Sequence, residues 1–160
     1  MGRLYSLTTG FQSVSAAQDL VELKAGTARP FLVHYICIGQ SSDAGDAESE
    51  LLQVTLKRAA STFTSGSGGG SLTAAKYGNT TDAADGFGTE ERNNTTQAVV
   101  GTGTLTNLLQ DTFHVSAGWQ YLPTPVLIPL FSGGEALVIS VSAPADALTM
   151  SCTVIVEEFG

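Results

Sequence analysis

The stretch Phe31-Leu32-Val33-His34-Tyr35-Ile36-Cys37-Ile38 is apolar at nearly every position and stops at Gly39. That is strand length, and its aromatic and β-branched content points to a strand buried on both faces. Working outward, the same signal recurs with a period of two. Leu52, Val54 and Leu56 alternate with Gln53, Thr55 and Lys57, and Met150, Cys152, Val154 and Val156 alternate with Ser151, Thr153, Ile155 and Glu157. Leu137-Val138-Ile139-Ser140-Val141 is a further strand core, opened by Gly133-Gly134 and closed by Pro144. Weaker strand signals cover residues 4–8, 20–23, 99–105, 113–116 and 126–130. Helical pattern is confined to single turns at Ser15-Ala16-Ala17-Gln18-Asp19 and at residues 46–51. Many short strands punctuated by Gly and Pro predict one all-β domain over residues 1–160. The expected form is an antiparallel β-sandwich, with a jelly roll preferred.

Composition agrees. The chain has 160 residues, of which 42% are apolar and 14% charged. A domain of this size buries enough surface to fold without staples, and low charge with this hydrophobicity argues against disorder. The net charge is −8 and the seven Lys and Arg are scattered, Lys57-Arg58 being the one adjacent pair. Phosphate backbones are bound by clustered basic residues, so a nucleic-acid partner is not expected. Acidity likewise opposes adhesion to anionic membranes, and no apolar run approaches a spanning helix. The opening Met1-Gly2-Arg3-Leu4-Tyr5-Ser6-Leu7 lacks the pattern of a secretory signal, which predicts a chain made in a cytoplasm. Cys37 and Cys152 both sit in strand-like segments, where a thiol acts as a small buried hydrophobe; a bond between them is not expected in a reducing compartment.

The strand pattern breaks over residues 61–97, which hold Ser65-Gly66-Ser67-Gly68-Gly69-Gly70-Ser71, Asn79-Thr80-Thr81-Asp82 and Asn93-Asn94-Thr95-Thr96. This reads as one long loop excursion from the sandwich. Its glycine run is costly to order, and its apolar content is thin, with Leu72, Tyr77 and Phe87 taken as its anchors. A neighbouring subunit or shell protein is therefore expected to supply contacts to those three residues.

No catalytic, cofactor-binding or metal-binding residue is assigned. His34 and Cys37 stand three apart, so a regular strand points them to opposite faces. His114 with Asp111 lacks a nucleophile, because Gly39-Gln40-Ser41-Ser42-Asp43 is no nucleophile elbow. The Gly66–Gly70 run lacks the Gly-Lys-Ser or Gly-Lys-Thr of a phosphate loop. Asp43, Asp46, Glu48 and Glu50 miss the spacing of a calcium loop and read as a solvated acidic turn. No His or Cys pair has zinc spacing. Asn79, Asn93 and Asn94 begin Asn-X-Thr sequences and read as turn formers. Trp119 and Tyr121 share a face if extended, as core or subunit anchors, or as a platform for a sugar ring.

Four stretches carry a resemblance: Val14-Ser15-Ala16-Ala17-Gln18-Asp19-Leu20-Val21-Glu22-Leu23, Gly39-Gln40-Ser41-Ser42-Asp43, Asn93-Asn94-Thr95-Thr96 and Ala143-Pro144-Ala145-Asp146-Ala147-Leu148-Thr149-Met150-Ser151. They resemble small β-rich proteins of tailed phages and prophages. These are turn sequences and bring no catalytic residue. The resemblance implies a virion component, in first place a capsid decoration (cement) protein on the outer shell, made in the host bacterial cytoplasm. Its implied partners are the major capsid protein and copies of itself, as a homo-oligomer with a trimer favoured. No cofactor is implied. The alternative is a carbohydrate-binding module of a tail or head fibre that uses Trp119 and Tyr121; a small hydrolase around His114 stands behind both.

Overall fold

The computed structural model describes residues 2–42, 50–60 and 62–160. Among them the strands in chain order are β1 (Arg3–Thr8), β2 (Gln12–Val14), β3 (Gln18–Lys24), β4 (Phe31–Gln40), β5 (Leu51–Ala60), β6 (Gly70–Ser71), β7 (Ala75–Lys76), β8 (Thr89–Asn94), β9 (Thr104–His114), β10 (Trp119–Tyr121), β11 (Leu130–Phe131), β12 (Ala136–Val141) and β13 (Leu148–Glu158). They form two antiparallel sheets packed face to face, an all-β sandwich. The first runs β10-β4-β13-β1-β7, with β11 also on β4 and β2 on β13; the second runs β6-β8-β3-β12-β5-β9. Four of the ladders follow one rule: β1 pairs with β13, β3 with β12, β4 with β10 and β5 with β9. The chain thus behaves as a long hairpin ribbon whose two arms wrap together across both sheets.

The period of two builds the core. Met150, Cys152, Val154 and Val156 of β13 face inward and are buried, while Ser151, Thr153, Ile155 and Glu157 face out. Opposite them, Val21, Leu23, Leu56, Leu137 and Ile139 close the sandwich from the second sheet. Both central runs lie where their apolar content demands, β4 between β10 and β13, and β12 between β3 and β5. β12 is buried throughout, but β4 alternates: Phe31, Val33, Ile36 and Ile38 are inside, and Leu32, His34, Tyr35 and Cys37 are half-buried. The outer face of the first sheet is simply less covered. A register shift opposite Ile155 and Val156 absorbs one extra residue of β4 near His34.

Cys37 and Cys152 are both free. Thr153 pairs with Cys37 and Cys152 with Ile38, so the two thiols point to opposite faces of neighbouring strands. Of the weaker strand signals, residues 99–105 are mostly turn before β9, and 126–130 are loop except for the start of β11. The stretch around Ser15 bends straight into β3 without a helical turn. Asp43, Asp46 and Glu48 lie outside the described residues, as does most of the expected turn over 46–51.

Residues 61–97 depart from the expected excursion. They contribute β6, β7 and β8, and β8 pairs along β3 inside the second sheet. β6 pairs with β8 and β7 with β1, so the segment between them straps one sheet to the other. Leu72 is 5% exposed and belongs to the core, and Phe87 packs edge-on against Tyr5 and Phe31. Leu72 and Phe87 are therefore anchors within one chain, a correction to their expected role as partner contacts; Tyr77 alone of the three is exposed, at 60%.

Two buried carboxylates offset the ordering cost that the glycines impose. Asp19 and Glu22 of β3 point out of the second sheet, away from the main core, and are almost wholly covered. Asp19 accepts the Ala98 amide at 2.6 Å and the Ser140 hydroxyl; Glu22 accepts the Gly66 amide at 2.9 Å and the Ser65 hydroxyl. Burial raises both carboxyl pKa values, and these hydrogen bonds pull them back. The chain so held covers a small second cluster of Ala59, Ala98, Ala136 and Val138. It lies too close to β8 for side chains: a Cβ on Gly66 would stand 2.7 Å from the Thr96 carbonyl oxygen, and one on Gly69 would overlap the Arg92 carbonyl. The glycine run is a tight seat rather than a free linker.

Ile36→Ala and Ile139→Ala should each lower stability by about 2–5 kcal/mol, because each leaves a cavity in the sandwich. Chemical denaturation with circular dichroism checks this, and a loss near zero for either would contradict its burial.

Candidate interaction surface

The outer face of the first sheet carries a recess of about 600 Å³. Its floor is apolar, formed by Leu4 of β1, Tyr35 of β4 and Ile155 of β13, with Leu122 on one wall. These are the outward positions of three neighbouring strands, so pairing register alone brings them together. The rim is polar. His34 Nε2 meets Glu157 Oε2 at 2.8 Å, and Arg3 donates to Glu158 Oε2 at 2.7 Å. Asn79 and Asp82 complete the opposite side, where the Asn79 side-chain Oδ1 accepts the Thr81 amide at 3.0 Å and fixes a turn. Tyr77 directly precedes this rim.

Beside the recess, Leu122-Pro123-Thr124-Pro125-Val126-Leu127-Ile128-Pro129-Leu130 leaves the sheet edge. β10 and β11 both pair with β4, so the stretch between them runs along the free edge of that strand. Leu122, Val126, Leu127 and Leu130 are 77, 92, 69 and 45% exposed. It is held firmly despite that exposure. The Leu127 amide donates to the Thr124 carbonyl at 2.8 Å, the Val33 amide to the Pro129 carbonyl at 3.1 Å, and Arg58 Nη2 to the Leu130 carbonyl at 2.7 Å. Three prolines restrict the rest of its backbone. A fixed, exposed apolar stretch of this kind marks an interaction surface.

Trp119 and Tyr121 are brought together, with ring centroids 6.2 Å apart and planes 7° from parallel. Trp119 is only 7% exposed and donates through Nε1 to Asp111 at 3.0 Å. That hydrogen bond holds the Asp111 carboxyl below its ordinary pKa. The indole is thus an anchor inside one chain, which corrects its expected place as a partner contact, and a sugar ring finds no open face there. Tyr121 is half-buried, and its hydroxyl reaches the Leu127 carbonyl at 3.5 Å, tying the aromatic pair to the exposed loop.

The remaining polar candidates are spread over the molecule. His114, at the end of β9 in the second sheet, has Nδ1 2.7 Å from the Ser116 hydroxyl, whereas His34 lies on β4 of the first sheet. The irregularity in β4 breaks the alternation expected between His34 and Cys37, and the imidazole is engaged by Glu157. Burial pushes the Cys152 thiol pKa far up, so this sulfur stays protonated. Among the described residues no group of three His, Cys, Asp or Glu side chains is placed to hold a metal ion, and no helix is long and apolar enough to cross a membrane.

The sequence reading missed Leu4, Tyr35, Leu122, Val126, Leu127, Leu130 and Ile155. For the loop a signal was present: Pro123, Pro125 and Pro129 remove the amides that a ladder needs, so its apolar side chains had no sheet to be buried in. Compared with known proteins, the chain matches no family model, no curated protein and no solved structure.

One titratable group reports on the inter-sheet strap. Burial, with the charge of Asp85 behind it, raises the Glu90 carboxyl pKa to about 7. Glu90 Oε1 has no hydrogen-bond partner, while the Glu90 carbonyl accepts the Leu72 amide at 2.9 Å. A raised folded-state value means that the native state binds the proton more tightly than the unfolded chain. The Glu90 contribution is therefore fully present below the ordinary carboxyl range and is lost as pH rises through about 7. Glu90→Gln, neutral at every pH, should gain stability relative to the parent as pH is raised across that window. Paired thermal melts would read this as a gap of a few degrees opening with pH; a constant gap would contradict it.

Proposed function

We propose that the chain is a non-enzymatic structural protein of a phage virion, a decoration protein that binds the outside of the capsid as an oligomer. The observation that carries this reading is the rigid, uncharged, exposed 122–130 loop beside an apolar recess. Both are features of a surface made to be covered by protein. Several further features support it. The ribbon pairing, first strand with last and so inward, suits the expected jelly roll, an architecture found among capsid proteins. The net charge of −8 suits the outside of a shell whose interior holds DNA. Binding to the assembled shell and not to its parts stabilises the shell by mass action, and oligomers add avidity. Trp119 sits inside its own chain, which takes from the sugar-binding alternative its aromatic platform.

Quantitative mass spectrometry of purified particles tests the proposal. Many copies per particle are expected, and particles stripped of the protein should stay intact but open at lower temperature. A chain found in infected-cell lysate and never in particles would overturn it.

A further inference from the structure

The geometry points to a self-contact in which the 122–130 loop of one copy seats in the Leu4–Tyr35–Ile155 recess of another. This deepens the assembly reading above and rests on it for the idea that copies meet at all.

Three observations select a second copy as the occupant. The first is shape: the chain carries both a fixed apolar projection and, beside it, an apolar recess of about 600 Å³, with Leu122 belonging to both. The recess is of the size that encloses a ligand of several side chains. The second is charge. Each copy bears −8, so most of its surface repels another copy, yet Leu122-Pro123-Thr124-Pro125-Val126-Leu127-Ile128-Pro129-Leu130 contains no charged residue. At the recess Glu157 is engaged by His34 and Arg3 by the buried Glu158, and Asp82 is the other carboxylate on the rim. An uncharged loop meets this surface without adding repulsion, where an acidic partner segment would not. The third is order. Hydrogen bonds from Leu127, Val33 and Arg58 hold the loop in place before any contact forms, so little conformational freedom remains to be lost on docking. The two patches share only Leu122, so each copy offers one projection and one recess, and the contact extends to a closed assembly when the rotation between copies closes.

The test uses two variants of the full chain. Val126→Asp places a charge on the projection at a side chain that is 92% exposed, where the sandwich is untouched. Ile155→Arg places one in the recess, on the outward face of β13. Circular dichroism and thermal melts confirm that each is folded. Light scattering and analytical ultracentrifugation should find the parent at a multiple of 16.5 kDa and each variant dissociating with a constant raised by about tenfold or more. Mixing the two supplies one intact projection and one intact recess, and should restore a one-to-one complex that neither variant forms alone. Val126→Leu, which keeps the apolar surface, should assemble like the parent. A parent that stays at 16.5 kDa to high concentration, variants that assemble as the parent does, or a mixture without the complex would each overturn the self-contact. The outcomes separate from those of the virion proposal. A monomer that still coats particles defeats the self-contact alone, and an oligomer broken by both variants but absent from particles defeats decoration alone.

Discussion

Strand β13 fixes both the inside and the outside of this protein. It is paired with β4 on one side and with β1 and β2 on the other. Its inward set, from Leu148 through Val156, fills the sandwich, so a slip of one residue would exchange that set for Ser151, Thr153 and Glu157. The outward set, Ile155 and Glu157 above all, then forms the floor and rim of the recess. The same strand ends on buried Glu158, which accepts from Arg3 and from the Gly86 amide at 2.8 Å, and which Arg29 approaches to 3.7 Å. Core register, interaction surface and inter-sheet strap thus share one constraint.

The segment after β5 shows how a polar, glycine-rich stretch is brought to order. Leu72 and Phe87 add burial, and satisfied backbone adds to it. Asp19, Glu22 and Glu158 take amides that the ladders leave over, and a buried carboxylate is tolerable only when it is bonded in this way. The low surface charge fits this division, because several of the acidic residues face the protein itself.

The exposed loop is the price of another solution. The edge of β4 offers unpaired backbone groups that invite other strands. Here β10, β11 and the proline-bearing stretch between them occupy that edge, which removes the opportunity for strand addition but leaves Leu122, Val126 and Leu127 in solvent. Edge protection and the proposed partner contact fall on the same residues.

The amino-acid pattern by itself determined the all-β class and the strands β4, β5, β12 and β13. A period of two and an apolar run are local properties that any extended chain expresses. It also marked Trp119 and Tyr121 as neighbours on one face. The place of residues 61–97 was decided only by tertiary structure. Leu72, Phe87 and the glycine seat gain their partners from Tyr5, Phe31, Glu22 and Asn94, all distant in sequence, and composition carries no trace of such contacts. The recess was hidden for the same reason, since Leu4, Tyr35 and Ile155 meet through register across three strands. The apolar residues of 126–130 read as a weak strand until the fold placed them along an edge, where prolines bar the ladder and, among the described residues, Val126, Leu127 and Leu130 stay exposed.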